Sequence, residues 1–425
     1  MQRRHFLCGL AASALVGSLP SGAFAQNGAG ARIVVVGGGF AGATCARYLK
    51  RWAPAAEVVL IEAADAFVAC PMSNRVIGGT MSLRDLTRSY AALSAAHGVQ
   101  VVRDTVTAVD AGARRVSLAR GDSIAWDRLV LAPGVEFAYD SLPGLEHTDA
   151  QAQVLHAWAA GPQTQALRRR LVALPQGGVF AMHIPLMPYR CPPGPYERAC
   201  LVAGALQRSN PRAKVLVFDA NPDVVAKKNL FADAFRNRYK GVIEYVPNAA
   251  YREMDAAAGT LRFDLQASVK ADLWNVIPPQ RAGLIARQAG LANVEGRWCE
   301  VDFLSYESKI APGVHVIGDA VASAPGVPKS AHIANQQAKV CAAAIAALLS
   351  DRPLSDEPML TDTCYSFVNE KEAAHLAAVY RYDADKRTMV AVPGAGGESA
   401  AATSEEGFMA VAWAFNILND TLGRA

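Results

Sequence analysis

Short continuous apolar runs alternate along this chain with stretches of helical spacing. Arg32 to Val36 (RIVVV) is a β-branched run of the kind that forms a strand buried on both faces. A helix is predicted over about Ala41 to Trp52, and a second apolar run follows at Val58 to Ile61. The same succession begins again near Ala150. Gly178 to Ile184 reads as a strand and Pro195 to Gln207 as a helix with proline in its first turn. Lys214 to Phe218 reads as another strand, ending at Asp219. The runs at Val242 to Val246 and Thr260 to Asp264 add strands to this second unit, and Ala271 to Asn275 is expected to begin a return to the first. Near the C-terminus, Ala391 to Thr403 is a Gly/Ala-rich loop. Glu405 to Gly423 reads as a helix with Phe408, Trp413, Phe415 and Leu418 on it.

Glycines give the first unit its chemistry. Gly37, Gly39 and Gly42 follow the first strand in G-x-G-x-x-G spacing. Gly37 suits a tight turn, Gly39 lets the backbone approach a pyrophosphate, and Gly42 lets the helix pack closely on the strand. The helix N-terminus then faces phosphate charge. Glu62 ends the second strand, where a carboxylate can bond the ribose of an adenosine. The second unit keeps an acid, Asp219, but its turn reads Ile184-Pro185-Leu186-Met187-Pro188-Tyr189-Arg190-Cys191. Proline offers no N–H to a phosphate and cannot make the glycine turn. NAD(P)H binding is therefore not expected there.

Length and charge set the outer limits. A chain of 425 residues suggests two or three domains. The formal charge is only +4, part of it from Arg3 and Arg4, which argues against nucleic acid as a partner. Arg3-Arg4-His5-Phe6-Leu7, the apolar run Leu10 to Leu19 and Ala23-Phe24-Ala25 read as an export signal over residues 1–25, twin-arginine in type. The apolar run is short for a membrane span of about 20 residues, and no later run in the mature chain is long enough. The expected location is an oxidising periplasm. Of eight cysteines, Cys8 lies in the leader, so an odd number remains and at least one is not disulfide-paired. No C-x-x-C-H occurs, so any haem would sit on a partner chain. No set of metal ligands is proposed.

Further segments carry a family resemblance. They are Asp127 to Gly134 (DRLVLAPG), Val314 to Asp319 (VHVIGD), Ala69-Cys70-Pro71-Met72-Ser73-Asn74, and Cys191-Pro192-Pro193-Gly194-Pro195-Tyr196-Glu197. Trp298 to Asp302, Val327 to His332, Ala334 to Lys339, Thr363 to Ser366, and Ala412-Trp413 complete the set. With these, the chain resembles the sulfide:quinone reductase and flavocytochrome c sulfide dehydrogenase family over nearly all of its mature length, and most of all the flavoprotein subunit of flavocytochrome c. The resemblance implies an α/β fold of two Rossmann-like domains, in the manner of glutathione reductase, plus a small C-terminal α+β domain. The expected boundaries are 31–150 with 270–355 for FAD, 151–269 for the second unit, and 356–425 for the tail.

The resemblance also implies roles. Cys70 would hold FAD through an 8α thioether. Cys191 and Cys364 would form a redox-active disulfide, with Arg190 and the following helix start favouring a thiolate at Cys191. Asp319 would bind the ribityl and pyrophosphate region, although an aspartate there could also cap a helix. Gly134 closes the strand-and-turn leaving the FAD domain. Glu197 reads either as a proton acceptor or as a complement to the helix dipole. Lys329 reads either as a cation near the flavin pyrimidine or as a solvated lysine. Cys45, Cys200 and Cys341 are expected to be inert buried thiols, and Cys299 has no assigned role. The implied activity is oxidation of sulfide to sulfur or polysulfide, with electrons passing through FAD to a c-type cytochrome. Sulfide:quinone reduction and a non-catalytic FAD-binding role are the alternatives.

Overall fold

The computed structural model describes residues 30–423, so the export signal expected over residues 1–25 lies outside the described residues. Strand β1 (Arg32–Val36) runs into helix α1 (Phe40–Trp52), then strand β2 (Glu57–Glu62), short helix α2 (Ser73–Gly78), and strands β3 (Gln100–Arg103) and β4 (Arg128–Leu131). Helix α3 (Pro162–Val172) leads to strand β5 (Val179–Ile184), helix α4 (Gly194–Ser209) and strand β6 (Lys214–Asp219). Helix α5 (Lys228–Asp233) and strands β7 (Ile243–Val246), β8 (Leu273–Val276) and β9 (Val314–Val316) follow. The chain ends with helix α6 (Ala331–Leu348), strands β10 (Met359–Phe367), β11 (Ala373–Asp383), β12 (Thr388–Ala391) and β13 (Gly397–Glu398), and helix α7 (Ser404–Leu422).

The first sheet has the order β9-β4-β1-β2-β3 and is wholly parallel. Its central residues Ile33, Val34, Val35, Leu60, Leu129 and Val130 are completely buried, as expected for strands covered on both faces. Helices α1 and α6 pack against each other beside this sheet. The second sheet, β7-β6-β5-β8, is again parallel. Here the expectation for Ala271 to Asn275 is corrected. That run forms β8, which pairs with β5 through Phe180↔Leu273 to His183↔Val276 and completes the second sheet. The return comes later, where Gln280–Ala282 pairs antiparallel with Val135–Phe137. A run that is apolar on both faces fits the edge of either sheet, and only the pairing decides between them.

The C-terminal part is an antiparallel sheet, β10-β11-β12, with β13 also on β11, backed by α7. The loop expected at 391–403 holds the short strand β13 and the Thr403 cap of α7, whose side chain accepts from the Glu406 N–H. Thr44, Asn335, Asp420 and Thr421 form a buried polar knot that ties α7 to α1 and α6. The same tail that brings Cys364 to the centre is thereby fastened to the first sheet's helices. Among the described residues, no helix is long and apolar enough to cross a membrane, and no group of three or more His, Cys, Asp or Glu could hold a metal ion.

Candidate active site

The site grows out of the β1–α1 turn. Gly37 adopts φ +97, and a Cβ there would lie 2.4 Å from the Ala132 carbonyl oxygen. A Cβ on Gly42 would meet the Gly37 carbonyl at 1.8 Å, so the helix can approach the turn only with glycine at that position. A Cβ on Gly39, by contrast, would meet nothing within 4 Å, and this residue opens onto a deep cavity. Glu62 bends over the turn, accepting from the Gly38 N–H at 2.6 Å and the Ala64 N–H at 2.7 Å. An open glycine backbone at a helix N-terminus, with a carboxylate at the end of the next strand, fits the diphosphate and ribose of a dinucleotide.

The cavity continues from Gly39 past Gly134, Asp319 and Lys329 to Cys70, Cys191, Glu197 and Cys364. Gly37, Gly42 and Glu62 shape the turn without lining this cavity. Asp319 sits inside a 3-10 turn whose cap position is Ile317, so it does not cap that turn. Burial raises its pKa, opposed by Arg190 and Lys329. Lys329 is buried, not solvated. Its ammonium donates to the Asp319 carbonyl at 2.9 Å and lies 3.7 Å from the Trp298 ring centroid. Burial brings its pKa down to about 8, so it keeps its charge at neutral pH. Cys70 borders the cavity just ahead of α2, which Met72 enters at φ +72.

Cys191 and Cys364 arrive from opposite directions. Cys191 stands at φ +56 between Arg190 and Pro192, and its N–H donates to the Lys329 carbonyl at 2.8 Å. Gly194 makes room for it, since a Cβ there would lie 3.0 Å from the Cys191 sulfur and 2.8 Å from the Trp158 ring. Cys364 comes from the middle of β10, opposite Leu376 of β11. Both cysteines border the same cavity, and each thiol shifts the other's pKa. The expectation of a thiolate at Cys191 is corrected by their surroundings. The hydrogen bond to Cys364 pushes the Cys191 pKa up. Arg190 is turned away, donating to the Trp158 carbonyl and stacking over Phe137. Cys364 is pushed down, first by the bond from Cys191 and then, against burial, by Lys227.

Glu197 is more than a dipole complement. Its carboxylate accepts from Asn74 Nδ2 at 2.7 Å and from the Phe367 N–H at 2.9 Å. Asn74 is held in turn by Arg198, whose Nε donates to Asn74 Oδ1 at 2.9 Å. Burial raises the Glu197 pKa despite these bonds. Sequence reasoning missed Asn74, Arg198 and Lys227 as parts of the site. Arg198 is 1% exposed and lies 4.7 Å over Trp158, yet nothing in its spacing along α4 sets it apart from a surface arginine. Among the other cysteines, Cys45 on α1 and Cys341 on α6 are buried, and burial pushes the Cys341 pKa up. Cys200 and Cys299 are buried too, and burial raises both pKa values, to about 12 for Cys299.

A parallel dinucleotide sheet whose glycine turn opens into a cavity with paired cysteines defines a flavoprotein oxidoreductase of the pyridine nucleotide-disulfide class. Residues 31–178 match the family profile of the pyridine nucleotide-disulphide oxidoreductases. Residues 164–278 match that of the central part of the sulfide dehydrogenase (flavocytochrome c) flavoprotein chain, and 356–422 the flavin-binding part of flavocytochrome c sulphide dehydrogenase. The flavoprotein chain of sulfide dehydrogenase (flavocytochrome c) from Chlorobaculum thiosulfatiphilum is 56% identical over 45 residues, which are 94% of its length and 11% of this chain. The chain belongs to the flavocytochrome c sulfide dehydrogenase flavoprotein family. It is also 23% identical to the mitochondrial sulfide:quinone oxidoreductase of Mus musculus, over 68% of this chain and 65% of the mouse protein. The solved sulfide:quinone oxidoreductase of Aquifex aeolicus superposes with TM-score 0.74 at 19% identity, covering 93% of this chain and 92% of that one, a likeness of fold.

Proposed function

We propose that this chain is a periplasmic sulfide dehydrogenase that oxidises sulfide to sulfur or polysulfide at a Cys191–Cys364 disulfide and passes the electrons to a c-type cytochrome. The observation that carries this reading is that Cys191 and Cys364 border one cavity together with the Gly39 turn, near enough for each thiol to shift the other's pKa. Bound FAD supplies a two-electron acceptor that can discharge one electron at a time. Gly37, Gly39 and Gly42 would seat its diphosphate, Glu62 its ribose, Asp319 its ribityl side, and Cys70 would hold it by a thioether. Lys329, charged and buried at the same wall, would face the reducible ring system with a fixed positive charge.

The chain's own residues handle sulfur and proton. The disulfide accepts hydrosulfide, and one cysteine becomes a persulfide while the other leaves as a thiolate. Glu197, with its pKa raised by burial, would take the proton that the persulfide sheds. NAD(P)H is not the reductant in this reading. The Asp219 carboxylate, at the place of Glu62 in the second unit, is already taken by Tyr196 Oη at 2.7 Å, Tyr245 Oη at 2.9 Å and Asn221 Nδ2 at 2.7 Å.

The test is anaerobic mixing with sulfide, then turnover with oxidised cytochrome c, in wild type, Cys191→Ser, Cys364→Ser and the double variant. Sulfide should bleach the wild-type flavin and drive cytochrome reduction, and each single variant should lose nearly as much as the double, because paired catalytic groups are not additive. Normal bleaching in either single variant would sink the disulfide mechanism. Turnover with a quinone and none with cytochrome c would move the chain to sulfide:quinone reduction.

A further inference from the structure

Lys227 is a buried cation beside the redox pair. It adopts φ +53, in the left-handed region, immediately before α5, and is only 3% exposed. Left-handed backbone at a residue other than glycine is unfavourable and persists where surrounding contacts hold it. An ammonium has three N–H donors. All three end on neutral oxygens: the Cys364 carbonyl at 2.7 Å, Ser366 Oγ at 3.1 Å and the Ala374 carbonyl at 2.7 Å. Such acceptors solvate the ion without cancelling its charge, and an uncompensated buried charge is costly. Burial accordingly lowers the Lys227 pKa, and the groups that oppose this are Cys364 first, then Glu197, Cys191 and Glu398.

Two carboxylates also act on Cys364. Glu197 faces it from α4 and Asp362 from its own strand, and both disfavour a thiolate there. Asp362 is itself buried, and it accepts from Ser330 Oγ at 2.7 Å. Lys227 offsets them at Cys364, while Arg190, Arg198 and Lys329 border the same cavity. Cys191 is the cysteine exposed where it borders the cavity, whereas Cys364 is half-buried.

We propose that Lys227 is a positioning residue that sets the polarity of the disulfide, so that sulfide adds to Cys191 and Cys364 departs as the thiolate. The proposal rests on the sulfide reading above. Hydrosulfide donates an electron pair to the Cys191 sulfur and forms a new S–S bond. The Cys191–Cys364 bond breaks, and its electron pair leaves on Cys364. One anion enters and one anion remains, with the proton still on the terminal sulfur of the Cys191 persulfide. The incoming sulfur is oxidised to the sulfane level, and the disulfide is the oxidant. The thiol with the lower pKa is the better leaving group, and a buried ammonium anchored on the residue that leaves favours that direction.

Two measurements test this on the holoenzyme. In the first, the enzyme is reduced with dithiothreitol, alkylated with iodoacetamide across a pH series, and the modified peptides are identified by mass. Cys364 should react with the lower pH midpoint. Lys227→Met should raise that midpoint by a unit or more and slow sulfide bleaching at pH 7 about tenfold, with recovery at higher pH. Lys227→Arg should keep the wild-type profile. A lysine that merely fastens β10 to the second unit predicts a lower thermal midpoint with an unchanged pH profile, and that result overturns the assignment. In the second, wild type receives one equivalent of sulfide and is trapped. Extra sulfur on the Cys191 peptide supports the polarity, and extra sulfur on Cys364 overturns it. Persulfide on neither cysteine removes the sulfide reading, and the alkylation profile then decides the role of Lys227 by itself.

Discussion

Glu197 accepts a hydrogen bond from the Phe367 N–H at 2.9 Å, which links the helix after Cys191 to the strand that carries Cys364. One carboxylate therefore touches the supports of both sulfurs. Its second oxygen takes Asn74 Nδ2, and the Asn74 amide cannot turn over because its Oδ1 is bound to Arg198. In Glu197→Gln one amide oxygen can still accept from Phe367, but the new NH2 faces the Asn74 NH2. The variant should reduce flavin with sulfide about a hundredfold more slowly. Because burial raises the Glu197 pKa, wild-type rates should fall as pH drops through a value above the ordinary glutamate range of about 4.5, and the variant should lack that limb. A pH–rate profile of anaerobic bleaching checks both statements.

Cys70 should keep the flavin with the polypeptide through denaturation. Trichloroacetic acid precipitation of wild type should leave yellow protein, and Cys70→Ser should release its flavin into the supernatant. Fully released flavin from wild type would remove the thioether from the proposal.

NADH and NADPH should leave the flavin oxidised under anaerobic conditions. The same geometry predicts a stability effect. Asp219→Asn disturbs a cluster in which two tyrosine hydroxyls and Asn221 converge on one buried carboxylate. It should cost about 1–3 kcal/mol in urea unfolding without conferring NAD(P)H activity. Rapid bleaching by either nucleotide in wild type would contradict the prediction.

Two buried histidines should make the protein acid-sensitive before its carboxylates do. His183 Nε2 bonds the Ala249 carbonyl and His315 Nδ1 the Ser305 carbonyl, and in each ring the other nitrogen is buried without a partner. Protonating that nitrogen would bury an unsatisfied N–H. Burial accordingly lowers both pKa values from 6.5 to about 4. A depressed folded pKa means the unfolded chain binds more protons between these values. The associated stability is fully present above pH 6.5 and is lost as pH falls toward 4, on the order of 1–3 kcal/mol per histidine. Thermal midpoints of wild type and His183→Gln across this window should differ in slope, the variant being flatter. Parallel curves would show that His183 does not titrate on unfolding.

The sequence by itself determined the elements whose signals are local. A β-branched run, a G-x-G-x-x-G turn and a strand-ending Glu62 specify their own backbone, because a buried parallel strand and a tight glycine turn each need particular residues at fixed spacing. The proline-filled turn at 185–191 told, in the same local way, that the second unit had no glycine loop. Tertiary structure alone decided which sheet Leu273–Val276 joins, since strand partners come from distant chain and an apolar run fits either edge. It also decided which charged groups lie near Cys191 and Cys364. Arg190 neighbours Cys191 in sequence yet points to Trp158, whereas Lys227, remote from Cys364 in sequence, donates to its carbonyl. Charge acts through space in a low-dielectric interior, so the group that governs a thiol is the one the fold brings within reach, and spacing along the chain does not record it.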